Sequence, residues 1–486
     1  MGTLERENDA DSEVSTMATH MIDSLIYGGA WGTDEMRAIF DDVPRTQAWL
    51  DIIVALAHAQ AEVGLIPADA AEEIARIARV EDLDMDELRK GYQETGHSTL
   101  GLIRVLQQKC RGNAGEYVYY GATVQDITDT WTMLALRQVW DIVFRDLREI
   151  EGTLLDLARE HRDTLMVGRT HGQAGLPITW GFKVAVWVRE IRRHIERLKE
   201  IRPRLSVGQL SGGVGSLSSF GEVGFELQER FFQRLGLRAP AIAWDTARDT
   251  LAEFLNLLAL IAATFDKIGH EVYNLQRPEL GEVREGFVPG VVGSITMPHK
   301  RNPEIAEHLG TLSRLIRHHA GALTESLAHD HERDARSWKA EWGVIPPACV
   351  MAGALLRLAK TMVAHLEVDA EGMRRNLEAT QGYILSEGVM LALARKVGKQ
   401  TAHTIVYETA MAAFEAGRPL KEVLLEEPQV REHLSAEEIE DLFDYGRQVG
   451  LCPQFVDRVV ALTQADREGD EKHDNASPSA PNLPND

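Results

Sequence analysis

The sequence predicts an all-α protein, and three observations carry that prediction. Apolar residues recur at three- and four-residue steps over long windows, strand patterns are weak throughout, and the window 251–276 is apolar nearly all round, as a helix inside a bundle must be.

The elements follow in order. Residues 1–20 are polar and acidic with no apolar period, and disorder is expected there. An N-terminal helical domain is expected over 21–115. In it, Thr33 ahead of Met36 and Phe40 reads as a capped first helix, and Ala48, Leu50, Ile53 and Leu56 form a second apolar face. Leu136, Val139, Val143, Leu147, Ile150, Leu154 and Leu157 then mark one face of a long helix. Windows 182–201, 251–276, 304–329 and 347–366 repeat that pattern, so 116–366 is expected to be an elongated central bundle. Shorter helices at 387–397 and 401–416 belong to a third region, 367–465. The charged, Pro- and Ser-rich tail 466–486 has nothing to bury. Only Met166–Val167 and 205–207 suggest brief strand pairing.

Composition bounds the function. At 486 residues two or three domains are expected, and 44% hydrophobic with 26% charged residues is ordinary for a soluble protein. The 75 acidic residues against 52 Lys and Arg leave a net charge of −23, which argues against nucleic acid as a partner. An anionic substrate would need local cations. The three cysteines (Cys110, Cys349, Cys452) are far apart and lack metal-ligand spacing, which fits a reducing cytoplasm, and no metal or cofactor is expected. No basic end precedes an apolar run at the N-terminus, so no signal peptide is expected. Window 251–265 carries Glu253 and Asn256 and reads as a buried helix, not a membrane span.

Four stretches concentrate chemistry. Around 291–308, Gly290 and Gly293 loosen the backbone, Asn302 reads as a cap, and Pro303 takes the first helical position. Ser294, His299, Lys300, Arg301 and Asn302 crowd that loop, as an anion site at a helix start or as an exposed basic loop. His97, Ser98 and Thr99, then Thr123 and Asp126, put hydroxyls and an imidazole beside helix starts, to hold a carboxylate or to cap. In Gly168-Arg169-Thr170-His171-Gly172 a histidine sits between glycines with little to pack on. Ser211-Gly212-Gly213-Val214-Gly215-Ser216 is either an anion cradle of backbone N–H groups or a hinge. The charges from His331 to Glu341, Arg333 among them, read by default as a solvated helix face.

The loop GSITMPHKRNP resembles the signature of the fumarase/aspartase superfamily, G-S-x-x-M-P-x-K-x-N-P, with every fixed position filled. The similarity runs from about Tyr27 to Val460 and points to the branch of adenylosuccinate lyase and 3-carboxy-cis,cis-muconate cycloisomerase. The resemblance implies a three-part chain with a tetrameric 20-helix core, sites shared between subunits of a homotetramer, and a small dicarboxylate substrate. It implies β-elimination from a substituted succinate, breaking a C–N bond and releasing fumarate. Ser294 is the implied base, and His171, in a stretch similar to the G-R-T-H-G of adenylosuccinate lyase, the implied acid. Lys300 and Asn302 would stabilise the developing charge, with Thr123 and Ser98 on the second carboxylate. His97, Thr99, Arg169, Thr170, Ser211 and Arg333 complete the implied substrate contacts.

The chain also departs from those patterns. Val124 replaces the Ser of a T-S-x-D stretch, removing one donor, and Ala247 stands where relatives place a Gln before Arg-Asp. Ala340-Glu341-Trp342 replaces a phosphate-gripping Arg and Ser, and Leu25-Ile26-Tyr27-Gly28 replaces an Arg-Tyr grip, which disfavours adenylosuccinate itself. A muconate-type cycloisomerase, a nitrosuccinate lyase releasing nitrite, and a non-catalytic crystallin-like helical protein are the alternatives.

Overall fold

A computed structural model describes residues 19–286, 294–297 and 299–475. The disorder expected for residues 1–18 and 476–486 lies outside the described residues, as do Gly290, Gly293 and Pro298 of the glycine-flanked loop. Helix accounts for 70% of the protein and strand for 4%, which makes the fold all-α.

The long periodic windows are long helices: Val124–Glu160, Trp180–Ile201, Asp249–Leu275, Glu304–Glu325 and Ala335–Ala364. Thr33 caps Asp34–Phe40 by accepting the Met36 N–H at 3.3 Å, as its position suggested. In Val124–Glu160 the stripe Leu136, Val139, Val143, Leu147, Ile150 and Leu154 is fully buried. Each such side chain contributes roughly 1.5–3 kcal/mol.

Two expectations are corrected. The last central helix does not begin near Pro347; it starts at Ala335 and carries Pro346 and Pro347 in its interior. The extra turns are held at their start by Asp334, whose carboxylate accepts the Arg336 N–H at 2.9 Å, and further on by the buried Glu341. Nor does order end near residue 465, because the final helix, Cys452–Asn475, runs on into the charged tail. Asp470 explains this: it is buried and accepts from Arg192 at 2.7 Å and Lys199 at 2.6 Å. A charge that composition assigns to solvent is thus neutralised inside.

The chain divides into two compact units. One comprises the described residues up to Val139 with Leu205–Leu255 and His318–Ala354; the other comprises Trp140–Arg204, Asn256–Arg317 and the chain from Leu355 onward. The first unit has a core of Leu50, Ile53, Leu56, Leu102, Leu106, Phe231 and Phe232. In it, Val207 makes an isolated bridge to Arg238.

The second unit holds the antiparallel hairpin Leu165–Thr170 with Gln173–Thr179, in which Met166 pairs with Ile178 and Val167 with Pro177. A shorter pair joins Val283–Arg284 to Glu367–Val368. This unit also contains the separate core of Val389, Leu393, Leu420, Leu424 and Ile439.

Candidate active site

In the first unit the site grows from the N-terminus of Val124–Glu160. Asp126 lies in that first turn, fully buried, and its carboxylate accepts the Thr123 N–H at 2.8 Å, the Ser211 N–H at 2.7 Å and the Gly212 N–H at 3.2 Å. The Ser-Gly-Gly segment is therefore an anion cradle, but the anion in it is the protein's own. The Ser211 hydroxyl is also committed, donating to Asp245 at 3.2 Å and accepting from Gln209 at 2.7 Å. Ser211, expected to touch substrate, instead ties together the floor beneath Thr123.

Above that floor stands Arg333, which does not belong to a solvated helix face. It donates to the Thr123 hydroxyl at 2.7 Å, to the Gly212 carbonyl at 3.4 Å and to Asp245 at 3.4 Å, while its buried Nε has no hydrogen-bond partner among the described residues. Deeper, Arg248 is clamped between two carboxylates, Asp129 at 2.7 and 2.9 Å and Glu341 at 2.7 and 2.6 Å. Glu341 thus has a structural partner, and its neighbour Trp342 remains 42% exposed. On the remaining loop of this unit, Gly96 closes the helix Met85–Thr95 with φ 64°, His97 is exposed and Ser98 half-buried. Thr99 is buried at the start of Leu100–Lys109, yet its hydroxyl does not cap that helix.

Burial pushes the Asp126 carboxyl up to about 7, against the pull of the Thr123 and Ser211 N–H groups. A carboxyl raised on folding binds more protons in the native than in the unfolded protein. Its contribution to stability is therefore fully present below the ordinary carboxyl pKa and is lost as pH rises through about 7. Thermal midpoints taken from pH 5 to 8 should fall less steeply for Asp126→Asn than for the wild type. Burial, followed by the neighbouring Asp129, likewise raises the Asp245 carboxyl, and Arg333 opposes the shift.

In the second unit, His171 and Gly172 form the two-residue turn of the hairpin, with φ 53° and 74°, between the paired Thr170 and Gln173. Positive φ at both central residues is the turn that matches strand twist, and histidine tolerates it better than most side chains. Thr170 and His171 are exposed at this tip. Arg169 is not offered to a ligand: it grips Glu282 at 2.8 and 2.7 Å, and Asn376 donates to the same carboxylate at 2.7 Å. Its role is to fix the hairpin.

The signature loop of this unit carries Ser294, half-buried, whose Oγ accepts the Met297 N–H at 3.1 Å. The Lys300 N–H closes a turn onto the Met297 carbonyl at 2.9 Å, leaving the Lys300 side chain exposed, with Asn302 half-buried beyond it. The helix that follows starts at Glu304. Glu285 supplies the cap, accepting the N–H groups of Ile305 at 3.1 Å and Ala306 at 2.6 Å. Two N–H groups of this helix terminus are thus already taken by the protein's own carboxylate.

Comparison with known proteins agrees with this architecture. The Lyase family matches residues 30–317, and the family described as Adenylosuccinate lyase C-terminus matches 382–459. The N-acetyl-S-(2-succino)cysteine lyase of Dickeya dadantii (strain 3937) is 44% identical, over 91% of this chain and 98% of that protein. The adenylosuccinate lyase of Methanocaldococcus jannaschii is 42% identical, over 91% and 96%. The crystal structure of 3-carboxy-cis,cis-muconate lactonizing enzyme from Pseudomonas putida superposes with a TM-score of 0.85 at 36% identity, covering 91% of this chain and 99% of that one. The chain is an enzyme of the fumarase/aspartase superfamily and belongs to its adenylosuccinate lyase/3-carboxy-cis,cis-muconate cycloisomerase branch.

Proposed function

We propose that this enzyme eliminates a heteroatom leaving group from a 2-substituted succinate, releasing fumarate. The observation that carries the reading is Arg333, a guanidinium held in place by Thr123, Gly212 and Asp245 with one buried donor unpaired among the described residues. A fixed arginine edge beside a helix N-terminus suits a carboxylate. Ser294 is the base that takes the proton next to the second carboxylate. Its oxygen already accepts one loop N–H, which favours the alkoxide, and Lys300 and Asn302 meet the charge that builds on the substrate.

The leaving group we favour is a thiolate. The Dickeya relative acts on a 2-succino thioether by name. The segment that would grip a nucleotide phosphate instead presents a Glu341 bound to Arg248 and an exposed Trp342 indole. A thiol ionises near 8.5, so a thiolate departs with little help, whereas an amine must be protonated as it leaves. His171 is the acid in that case. His171→Asn should therefore slow an amine-leaving substrate by about 10²-fold or more and a thioether much less. Equal losses would remove His171 as the acid.

The direct test incubates the purified protein with N-acetyl-S-(2-succino)cysteine, adenylosuccinate, 2-nitrosuccinate and 3-carboxy-cis,cis-muconate, following fumarate and carboxymuconate absorbance. Fumarate from the thioether is the expected result, and no fumarate from any succinate overturns the reading. The second reading, a cycloisomerase, is favoured by the Ala340-Glu341-Trp342 segment and the Pseudomonas putida likeness, and loss of carboxymuconate absorbance would establish it. We also propose that complete sites draw residues from several copies of a homotetramer, so a monomer by light scattering that retains full turnover would contradict the assembly.

A further inference from the structure

The second unit carries a basic cleft that the proposed mechanism does not use. It lies between the helices Trp180–Ile201 and Asp249–Leu275 and encloses about 270 Å³. Arg193, His194 and Arg197 line it from the first helix, Thr264 and Lys267 from the second. A spacing of four residues sets Arg193 and Arg197 on one helix face, and both are exposed. Glu190 is the one carboxylate in the lining, and Lys267 already engages it. The Arg193 guanidinium makes no ion pair or hydrogen bond among the described residues. In a chain of net charge −23, such a concentration of unneutralised cations runs against the composition.

A buried histidine adds a further donor to this lining. His194 is 5% exposed, with Nε2 2.9 Å from the Thr264 hydroxyl and Nδ1 3.4 Å from the Arg197 guanidinium. A guanidinium can only donate, so Nδ1 accepts and the single proton of the neutral ring sits on Nε2. Nε2 therefore donates to Thr264, whose oxygen is the acceptor and whose own proton must go elsewhere. No acceptor for that proton stands among the described residues. Burial, then Arg197, Arg193 and Lys267, push the imidazole down to about 4, which keeps the ring neutral and this order of donors intact near pH 7. Two guanidiniums and one O–H thus share a cleft in which the only carboxylate is already taken.

We infer that the cleft between Trp180–Ile201 and Asp249–Leu275 is a second anion-binding site, which takes a compact oxyanion of the phosphate class on Arg193, Arg197 and Thr264. Two guanidinium forks one helical turn apart can each give paired N–H bonds to a tetrahedral oxyanion, and the threonine O–H adds a third direction. A lone carboxylate has only two oxygens and would leave donors unmet. None of Ser294, Lys300, Asn302 and His171 lines the cleft, so the assignment holds whichever substrate the enzyme takes. An anion bound to side chains of both helices ties one to the other and stabilises the folded protein.

The test titrates inorganic phosphate into the full chain by calorimetry at constant ionic strength, beside Arg193→Gln, Thr264→Val and Arg333→Gln. The wild type should bind with a Kd of about 1 mM or tighter, and its thermal midpoint should rise with phosphate. Arg193→Gln and Thr264→Val should each raise the Kd by about tenfold, while Arg333→Gln changes it by less than about threefold. Phosphate binding that is lost in Arg333→Gln but kept in Arg193→Gln belongs to the catalytic residues and overturns the assignment. A wild type that binds no phosphate overturns it too. So does an Arg193→Gln variant whose mass by light scattering changes while its phosphate affinity does not, since the cations then serve carboxylates of a second copy. Should Thr264→Val fail to fold, the exposed Arg193 decides alone, and wild-type affinity in Arg193→Gln removes the site.

Discussion

Ser294→Ala is expected to lower the rate of fumarate release by about 10³-fold or more while fumarate itself binds within about threefold of the wild type. The proton to be removed sits beside a carboxylate that is already anionic, so its removal requires a strong base and a place for the new charge. A serine hydroxyl meets the first requirement only if its alkoxide is stabilised. The Met297 N–H, 3.1 Å from Ser294 Oγ, is one such donor, and Lys300 follows three residues beyond Met297. Alanine removes the oxygen while leaving the turn from Lys300 to Met297 in place, so binding should survive. Single-turnover rates and calorimetry on the same preparation separate the two effects. Full turnover in Ser294→Ala would eliminate the residue as the base.

The largest loss of stability is expected from Arg248→Met, about 3–5 kcal/mol. Arg248 is 1% exposed, paired with Asp129 and Glu341, and stacked over Trp244 at 4.8 Å. Removing the cation leaves two buried carboxylates facing each other without compensation. Burial already raises the Glu341 carboxyl, and losing the Arg248 cation that opposes this would raise it further, so the variant should regain stability on acidification and lose it as pH rises. Converting Asp129 to Asn and Glu341 to Gln in the same chain should restore most of the thermal midpoint. A single variant as stable as the wild type would show that water reaches the cluster and solvates the pair. The position matters for function because Gln209, bonded to Asp245, also accepts the Trp244 N–H, linking this cluster to the floor under Thr123.

The long helices were legible in the sequence because a buried stripe is a local pattern: Leu136 to Leu154 announces its own core face. The loop and hairpin were legible as motifs for the same reason, since each motif is contiguous. Who occupies a backbone cradle is different, because the partner comes from elsewhere in the chain. The cradle at Ser211 and Gly212 looked ready for a ligand, but Asp126, 85 residues away from Ser211, fills it. The helix start after Pro303 looked open as well, but Glu285 closes it. Arg169 looked free to bind substrate until Glu282, 113 residues later, is seen to hold it. The one usable hint was Asp126 itself, an acid three residues after a threonine at a helix start, which is half of a capping box. Charge in the tail misled in the opposite sense, because Asp470 finds Arg192 and Lys199 only in the folded chain.

The hairpin tip constrains what evolution or a laboratory library can do with the proposed acid. A residue at φ 53° is reached at low strain by glycine, asparagine, aspartate and histidine, and poorly by β-branched side chains. Of those four, only the imidazole can both give and accept a proton near neutrality. Selection for new leaving groups is therefore biased: short polar side chains keep the turn at little strain, whereas a bulkier choice at 171 adds backbone strain that the rest of the hairpin must offset.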